Sequence, residues 1–592
     1  MTSSNSIPLS QANLPAAFFA MAKRHADQDL LAAKRDGMWQ TMSYGEAAEQ
    51  VLQLAAMLIR QGVSPGDKVF IAAENRPEWA VADLAIMAVG AIVVPSFITN
   101  TEDDFAYILS HSETVLAITS GGGLAQSVIN AAATTGVKTL LVMDGEGLSL
   151  PAGMTVLDWQ TELAKSEKDG AETPQGLDET INAIQPDDTC CFIYTSGTGG
   201  RPKGVMLTHK SIQANINAAI DLLDEGGVAR GQRFLSLLPL SHSYEHTAGL
   251  HLPFQTGSEV WYCESAEQIA NNLAEASPTL MTAVPRLYEV LHDRITRGVK
   301  AKGGVSEKLF NAAVQIGTKR LQGQRLTLGE AMLNPVLDRL VRKKVKSRLG
   351  GRLHYFISGG AALNPDIGGF FMALGVNILQ GYGQTEASPL ISANRPGRIK
   401  IETVGPAVDG VEVKISDEGE ILTRGDMLMK GYWKDEAATA ETIQDGWLYT
   451  GDLGEIDQDG FITITGRKKD IIVNSGGDNI APSRVEGILA IEPEIEQVMV
   501  DGDKKPWLAA VVVPAPDLVK SLSAEGIEAA VGDAIKRANQ RLSKLEQVRR
   551  FILADEAFTT INGQMTATLK TRRHIVRQVY GDRLDALYPK KS

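Results

Sequence analysis

Directly behind the apolar run CCFI, the stretch YTSGTGGRPKG sets Thr195, Ser196, Gly197, Thr198, Gly199 and Lys203 within nine residues. Glycines let backbone N–H groups converge on an anion, and hydroxyls and a lysine add donors and charge, so the stretch suits a phosphate. A flexible surface loop explains the same composition equally well. Walker A is excluded, because no Gly-Lys-Ser/Thr stands at the required spacing. Other stretches with chemical side chains follow: GYGQTE at 381–386, YTGD at 449–452, GRKKDIIVNSGGDNIAPSRVE at 466–486 and GQMTATLKTRR at 563–573. One more, HSYEH at 242–246, fits the inverted zinc-protease spacing His-x-x-Glu-His. It follows the strand end LLPLS, whereas a zinc pair needs its ligands on one helix with a third downstream, so no metal is expected there.

The elements that must carry these residues read as alternating helices and strands. SYGEAAEQVLQLAAMLIRQGV opens on a capping box, Ser43 and Glu46, and sets Val51, Leu54, Ala55 and Leu58 on one helical face. Short buried strands are expected at KVFIAA, GAIVVP, KTLLVMD, RFLSLLPL and HYFISGG, which together predict a layered α/β architecture with largely parallel sheets. Residues 401–466 turn to short alternating strands with Gly and Asp turns, VEVKISDEGEILTRG and GEIDQDGFITITG, a small β subdomain. Beyond TGRKKD, charged helices such as SRVEGILA and GDAIKRANQRLSKLE flank the strands EQVMVDG and WLAAVVVP. The expected division is therefore a large α/β domain over 1–466 and a small α+β domain over 467–592.

Composition narrows the class. The 592 residues exceed one compact core, and 44% apolar with 22% charged residues describes an ordinary globular protein. A net charge of -13 argues against nucleic acid as a partner, since that affinity comes from clustered Lys and Arg. Cys190, Cys191 and Cys263 have neither metal-ligand nor disulfide spacing and read as small buried hydrophobes in a reducing compartment. The longest apolar run, AVADLAIMAVGAIVVPSFI, is interrupted by Asp83, Gly90 and Pro95, so a buried helix leading into a strand is expected rather than a membrane span. LPAAFFAMAKRH lacks the basic-then-apolar order of a signal peptide, and a cytoplasmic enzyme is expected. In LDRLVRKKVKSRLGGRL, 337–353, Leu337, Leu340, Val341, Val345 and Leu349 fall on one face of a predicted helix and the basic residues on the other. A core-facing helix with a solvated basic face is the expectation; peripheral contact with anionic lipid is the alternative.

In their order along the chain, these motifs resemble the adenylate-forming (ANL) acyl-CoA synthetases. LPLSH, TAVPRLYEVLHDRI, the basic helical insertion before ISGGAAL, and the ending TATLKTRRHIVRQVYGDRLDALY are most similar to the long-chain fatty acid CoA ligases. The resemblance implies that a fatty acid of medium to long chain attacks ATP to give acyl-AMP and then acyl-CoA, with Mg²⁺ as cofactor and ATP and CoA as co-substrates. It implies that Thr195–Gly199 and Lys203 enclose the β and γ phosphates, that Thr385 donates to the α-phosphate, and that Glu386 holds Mg²⁺. Gly359, Gly360, Ala361, Gly381, Tyr382 and Gly383 match the adenine pocket, Asp452 the ribose acceptor and Arg467 its cationic partner. His242 matches the residue beside the acyl carboxylate. Lys570 matches the lysine that bridges carboxylate and α-phosphate, in a Thr-x-Thr-x-Lys setting rather than the commoner Ser-Gly-Lys. Lys469 matches a hinge about which a mobile C-terminal domain rotates, bringing Gly476 and Gly477 to a pantetheine channel. Activation of another carboxylic acid, loading of a carrier protein, a luciferase-like oxygenase and a nucleotide sensor without turnover are the alternatives. Chain length and oligomeric state, including a homodimer, stay open.

Overall fold

The computed structural model describes residues 7–145, 147–168, 176–195, 201–566 and 570–589. Two eight-stranded sheets dominate the first four hundred residues. In one, Ile92–Pro95, Lys68–Ala72, Thr114–Thr119, Thr139–Val142 and Thr155–Asp158 run parallel. Thr189–Thr195 joins them in parallel, and the edge is finished in antiparallel by Lys203–Thr208 and Gly431–Tyr432. In the other, Glu259–Tyr262, Arg233–Ser236, Leu280–Ala283, Tyr355–Ser358 and Asn377–Gly383 are parallel, with Leu390–Ala393 antiparallel at one edge. Each strand expected from the apolar runs is present.

One core joins the two sheets. Val69, Val93 and Cys191 from the first and Phe234, Val260 and Leu280 from the second pack with the helix Pro77–Ala88, every residue of which is buried. A helix buried on all sides, its two acids Glu78 and Asp83 paired with Arg35, Arg76, His246 and His251, is stable only between layers, where Val81, Leu84, Ile86 and Met87 each contribute about 1.5–3 kcal/mol. The interrupted apolar run is thus this helix followed by the strand Ile92–Pro95, and among the described residues no helix is long and apolar enough to cross a membrane. Tyr44–Arg60 starts at the expected capping box, with Val51, Leu54, Ala55 and Leu58 fully buried. Cys190 and Cys191 are buried and Cys263 partly so.

The small β subdomain is an antiparallel sheet of five strands that includes Trp447–Ile456 and Ile462–Arg467. Past it, Ile495–Asp501, Leu508–Pro514 and Val548–Leu553 form a three-stranded sheet covered by Pro482–Leu489, Ala524–Asn539 and Arg573–Asp585. The two apolar cores of this region draw only on residues from Ile472 onward, so a small C-terminal domain follows a large N-terminal one.

Two expectations need correction. GDAIKRANQRLSKLE is not helical throughout: the helix stops at Asn539, whose side chain bonds both the N–H and the C=O of Val548 and folds the chain back into the next strand. The segment 337–353 is also not one regular helix. Leu328–Leu337 passes through a wider i→i+5 turn at Asp338–Arg342 before Lys343–Arg348. The wide turn keeps Leu337, Val341, Val345 and Leu349 buried but swings Leu340 outward, where it is 53% exposed.

Candidate active site

The phosphate-type loop spans a hairpin. Thr195 sits opposite Lys203 in the ladder of Thr189–Thr195 with Lys203–Thr208, which fixes both ends of the connection. Ser196, Gly197, Thr198 and Gly199 lie outside the described residues. Beside this hairpin the segment 429–433 is laced by its backbone: Lys430 N–H donates to Met206 O at 2.9 Å, Trp433 N–H to Gly204 O at 2.8 Å, and Met429 N–H to Glu386 O at 2.9 Å. Tyr432 is thereby held between lysine and glutamate. Its ring lies 4.8 Å from Lys203 Nζ, and its hydroxyl donates to Glu386 Oε1 at 2.8 Å. Lys203 Nζ also lies 3.4 Å from Asp435.

Glu386 arrives on a short turn, Thr385–Ala387, where the chain reverses from Asn377–Gly383 into Leu390–Ala393. Gly383 is required by this reversal, since a Cβ there would stand 1.7 Å from Pro389 O. Gly381 lies in the same strand, where a Cβ would stand 3.2 Å from Ser392 O. The Thr385 hydroxyl is 3.1 Å from Ser243 Oγ, next to His242. His242 Nδ1 accepts from Tyr244 N–H at 3.1 Å, so a neutral ring carries its proton on Nε2. Burial pushes this imidazole down to about 4, with the Lys570 charge acting in the same direction. Tyr244 donates to Ile357 O at 2.7 Å, and its ring covers Gly359, where a Cβ would meet it at 3.2 Å. Gly360, at φ +80°, and Ala361 follow on the exposed side.

On the opposite flank, the Tyr382 hydroxyl donates to Asp452 Oδ2 at 2.8 Å. Asp452 and Arg467 are cross-strand partners, with Arg467 Nε 3.4 Å from the other carboxylate oxygen. Burial raises the Asp452 pKa, opposed first by Arg467 and then by Tyr382 and Lys570. Lys570 comes from the C-terminal domain and is tied to Thr566, which gives its N–H to Lys570 O at 2.8 Å and takes the Lys570 N–H on its hydroxyl at 3.0 Å. Solvent reaches Lys570, yet its surroundings crowd it closely enough that desolvation is the main influence lowering its pKa. Arg467 lowers it further, while Asp452 and Glu386 pull the other way. Lys570 of the C-terminal domain thus lies within electrostatic reach of Glu386, His242, Asp452 and Arg467, on the side where the two domains face each other.

Lys469 and the glycines stand apart from that cluster. Lys469 is exposed in the turn closed by Asp470 N–H and Ile471 N–H donating to Arg467 O, and the neighbouring Lys468 pairs with Glu418 and Glu420. Gly476 and Gly477 are exposed at a hairpin tip where Asn474 Oδ1 accepts the N–H groups of Gly476 and Asp478, with Gly477 at φ +86°. Ser475 N–H donates to Lys505 O, within the same domain. Polar contacts between the domains include Arg286 with Glu496 at 2.6 Å, Arg297 with Asp517 at 3.3 Å, and Asn364 with Gly487 O at 3.2 Å.

The profile of the AMP-binding enzymes matches residues 18–433, and that of the AMP-binding enzyme C-terminal domain matches residues 469–592. The chain is an AMP-binding enzyme. It is 33% identical to the long-chain-fatty-acid–CoA ligase FadD15 of Mycobacterium tuberculosis over 98% of this chain and 97% of that one. With the peroxisomal long chain acyl-CoA synthetase 6 of Arabidopsis thaliana it shares 32% identity, covering 93% and 82%. Its fold is that of the adenylation domain of a Mycobacterium chelonae carboxylate reductase, at a TM-score of 0.79 and 21% identity over 97% and 91% of the two chains. An anthranilate CoA ligase in complex with anthranoyl-AMP has the same fold at a TM-score of 0.71 and 21% identity, covering 98% and 99%.

In this AMP-binding enzyme the three residues of HSYEH diverge. His242 lies within reach of the Lys570 charge, Glu245 accepts from Ser236 and Thr282 hydroxyls at 2.6 Å each, and His246 Nε2 bonds Asp83 Oδ1 at 2.9 Å. Among the described residues one group, Asp83 with His246 and His251, has ligand atoms within 4.8 Å of one another, all buried. Its short spacings are those of one carboxylate flanked by two imidazoles, His251 lying 3.1 Å from Asp83 Oδ2. Tyr432 and Asp435 lie outside the motifs, with the aromatic pair in GYWKD at 431–435 as their local signal, which only strand pairing brings to Lys203; Ser243 sits inside HSYEH but was not singled out there.

Proposed function

We propose that this AMP-binding enzyme activates a medium- to long-chain fatty acid in two steps. The carboxylate oxygen first bonds to the α-phosphorus of ATP as the bond to the bridging oxygen of pyrophosphate breaks. The CoA sulfur then bonds to the acyl carbon of the mixed anhydride as AMP leaves and the thiol proton is lost. The observation that carries the reading is that Lys570 lies within electrostatic reach of Asp452, Arg467, Glu386 and His242, in a chain whose full-length relatives are long-chain-fatty-acid–CoA ligases.

Roles follow from charge and donor type. Lys570 bridges two anions, offsetting their repulsion and fixing the line of attack. The Thr385 hydroxyl and His242 Nε2–H are donors for oxygens that gain charge as the bond forms. Asp452 accepts from the ribose diol while Arg467 balances it. Thr195, Lys203 and the glycine-rich loop hold the outgoing phosphates. Glu386, oriented by Tyr432, suits Mg²⁺, which takes few protein oxygens together with phosphate and water; when bound, the ion neutralises phosphate charge. Lys469, just past Arg467, is the pivot, so that Arg467 stays with the N-terminal domain through its rung with Asp452, and rotation there presents Gly476 and Gly477 to the pantetheine arm. The enzyme works in the cytoplasm.

Pyrophosphate release across a series of carboxylates, with and without CoA, tests this reading. Each buried methylene adds about 0.8 kcal/mol, so kcat/KM rises steeply with chain length until the acyl site is filled. Equal kcat/KM for acetate and palmitate overturns the fatty-acid assignment. Turnover with an amino acid, or light that depends on oxygen, moves the enzyme to another branch of the family.

A further inference from the structure

A second surface is carried by a helix between His242 and Gly359 in sequence. Helix Leu328–Leu337 begins at a complete capping box, Thr327 with Glu330, so its first turn is fixed by its own side chains. Its inner face is secured by Leu333 and Leu337, which pack into an apolar core of the N-terminal domain with Phe310, Val341 and Phe371. The following wide turn is riveted by buried Arg342, whose guanidinium donates to Ala313 O, Ala373 O and Asn334. The helix is thus set firmly on the domain, and its other face is what remains to be explained.

That face is apolar. Leu328, Met332 and Val336, one turn apart, are 86%, 79% and 46% exposed, with Ala331 and Pro335 exposed between them and Leu340 continuing the row. Soluble helices carry polar residues on such a face, and a contiguous exposed apolar stripe marks a surface that is covered in use.

The occupant is indicated by charge. Residues 319–352 hold ten Lys or Arg against two Asp or Glu, in a chain whose net charge is -13. Both acids are already bonded, Glu330 to Lys319 and Asp338 to Arg342. Lys343, Lys344, Lys346 and Arg348 follow the stripe on exposed positions. Arg320, Lys343 and Lys346 also line a recess of 570 Å³ beside exposed Leu321. Apolar side chains that can enter the acyl boundary, collared by cations at headgroup level, match a bilayer rich in anionic phospholipid.

We propose that the stripe Leu328, Met332, Val336 and Leu340 with its basic collar docks this enzyme on an anionic lipid surface. The docking side is therefore the outward face of the helix Leu328–Leu337, not the basic face of a core helix. It adds a partner to the proposed ligase but does not depend on that activity.

Co-sedimentation of the full chain with large vesicles, of phosphatidylcholine alone and of phosphatidylcholine with phosphatidylglycerol, tests it without ATP or CoA. The wild type is expected to bind the anionic vesicles and to be released by salt. Lys343→Ala and Lys344→Ala each weaken binding about fivefold, and the double variant Met332→Gln, Val336→Gln weakens it about tenfold or more. All these positions are exposed, so circular dichroism stays that of the wild type, and pyrophosphate release with a water-soluble medium-chain acid, without vesicles, stays unchanged. Failure of the wild type to sediment, or equal binding by wild type and variants, overturns the proposal. A solution dimer that Met332→Gln, Val336→Gln converts to monomer also overturns it, because a second copy would then be the cover. Loss of pyrophosphate release in the wild type would count against the ligase reading alone.

Discussion

Lys570 is the side chain whose proposed task is easiest to isolate, because both groups it would bridge react only in the first step. Lys570→Ala is expected to lower acyl-dependent pyrophosphate exchange about a hundredfold to a thousandfold, the usual loss for one preorganised charge contact. Thioester formation from supplied acyl-AMP should be largely spared. Parallel loss of both half-reactions would make the lysine structural. The surroundings add a pH signature. Desolvation and Arg467 lower its pKa, so its charge is lost at lower pH than an ordinary lysine's, and the alkaline limb of the first half-reaction should shift down accordingly and disappear in the variant. His242 contributes no inflection near the usual histidine value, because its folded-state pKa is held to about 4.

At the level of elements, the run Ser243–Gln255 shows how a buried acid is housed. Glu245 is fully enclosed, its oxygens accept from Ser236 and Thr282, and Gly249 leaves it room, since a Cβ there would stand 2.3 Å from Oε1. Burial raises its pKa from 4.5 to about 7. The folded protein therefore keeps this proton over a range in which the unfolded chain has released it. The associated stability is complete below 4.5 and is lost as pH rises through about 7. Glu245→Gln carries no charge at any pH, so the stability of the variant relative to the wild type should grow across that range by up to about 3 kcal/mol, read from urea unfolding. A difference that does not change with pH would contradict it.

These elements also mark how far sequence reading reaches. The helix at Tyr44 and the parallel strands could be read because caps and apolar runs are local. Thr385, Glu386 and Lys570 could be picked out as candidates because each sits in a motif. Tyr432 and Ser243 could not, since they become neighbours of Glu386 and Thr385 only through strand pairing and a turn packed across more than forty residues. The outward swing of Leu340 was hidden for a different reason: a wide helical turn leaves no mark in a pattern counted at 3.6 residues.

Across the whole molecule, the two domains meet through exposed ion pairs such as Arg286 with Glu496 rather than through a shared apolar core. Such pairs are each worth little, which would suit a contact that opens and closes. Lys469→Pro tests whether it does. Proline fixes φ near -65° and restricts Lys468 before it, so rotation about this turn should be blocked while the arrangement described here is kept. Pyrophosphate exchange should survive and CoA thioester formation should fail, with acyl-AMP left on the enzyme. Intact thioester synthesis by a folded variant would show that no rotation at this residue is needed.

Asp452 and Arg467 face each other as a rung of the antiparallel sheet, and the chain passes Lys469 only after that rung. If the domain turns at Lys469, every residue proposed to grip the nucleotide except Lys570 would belong to a fixed stator, and only Lys570 and the Gly476–Gly477 tip would ride on the rotor. A turn of the rotor would exchange the tool without releasing the workpiece. The reactive anhydride would stay in the custody of one body from its formation to its consumption, and water would have no interval in which to intercept it.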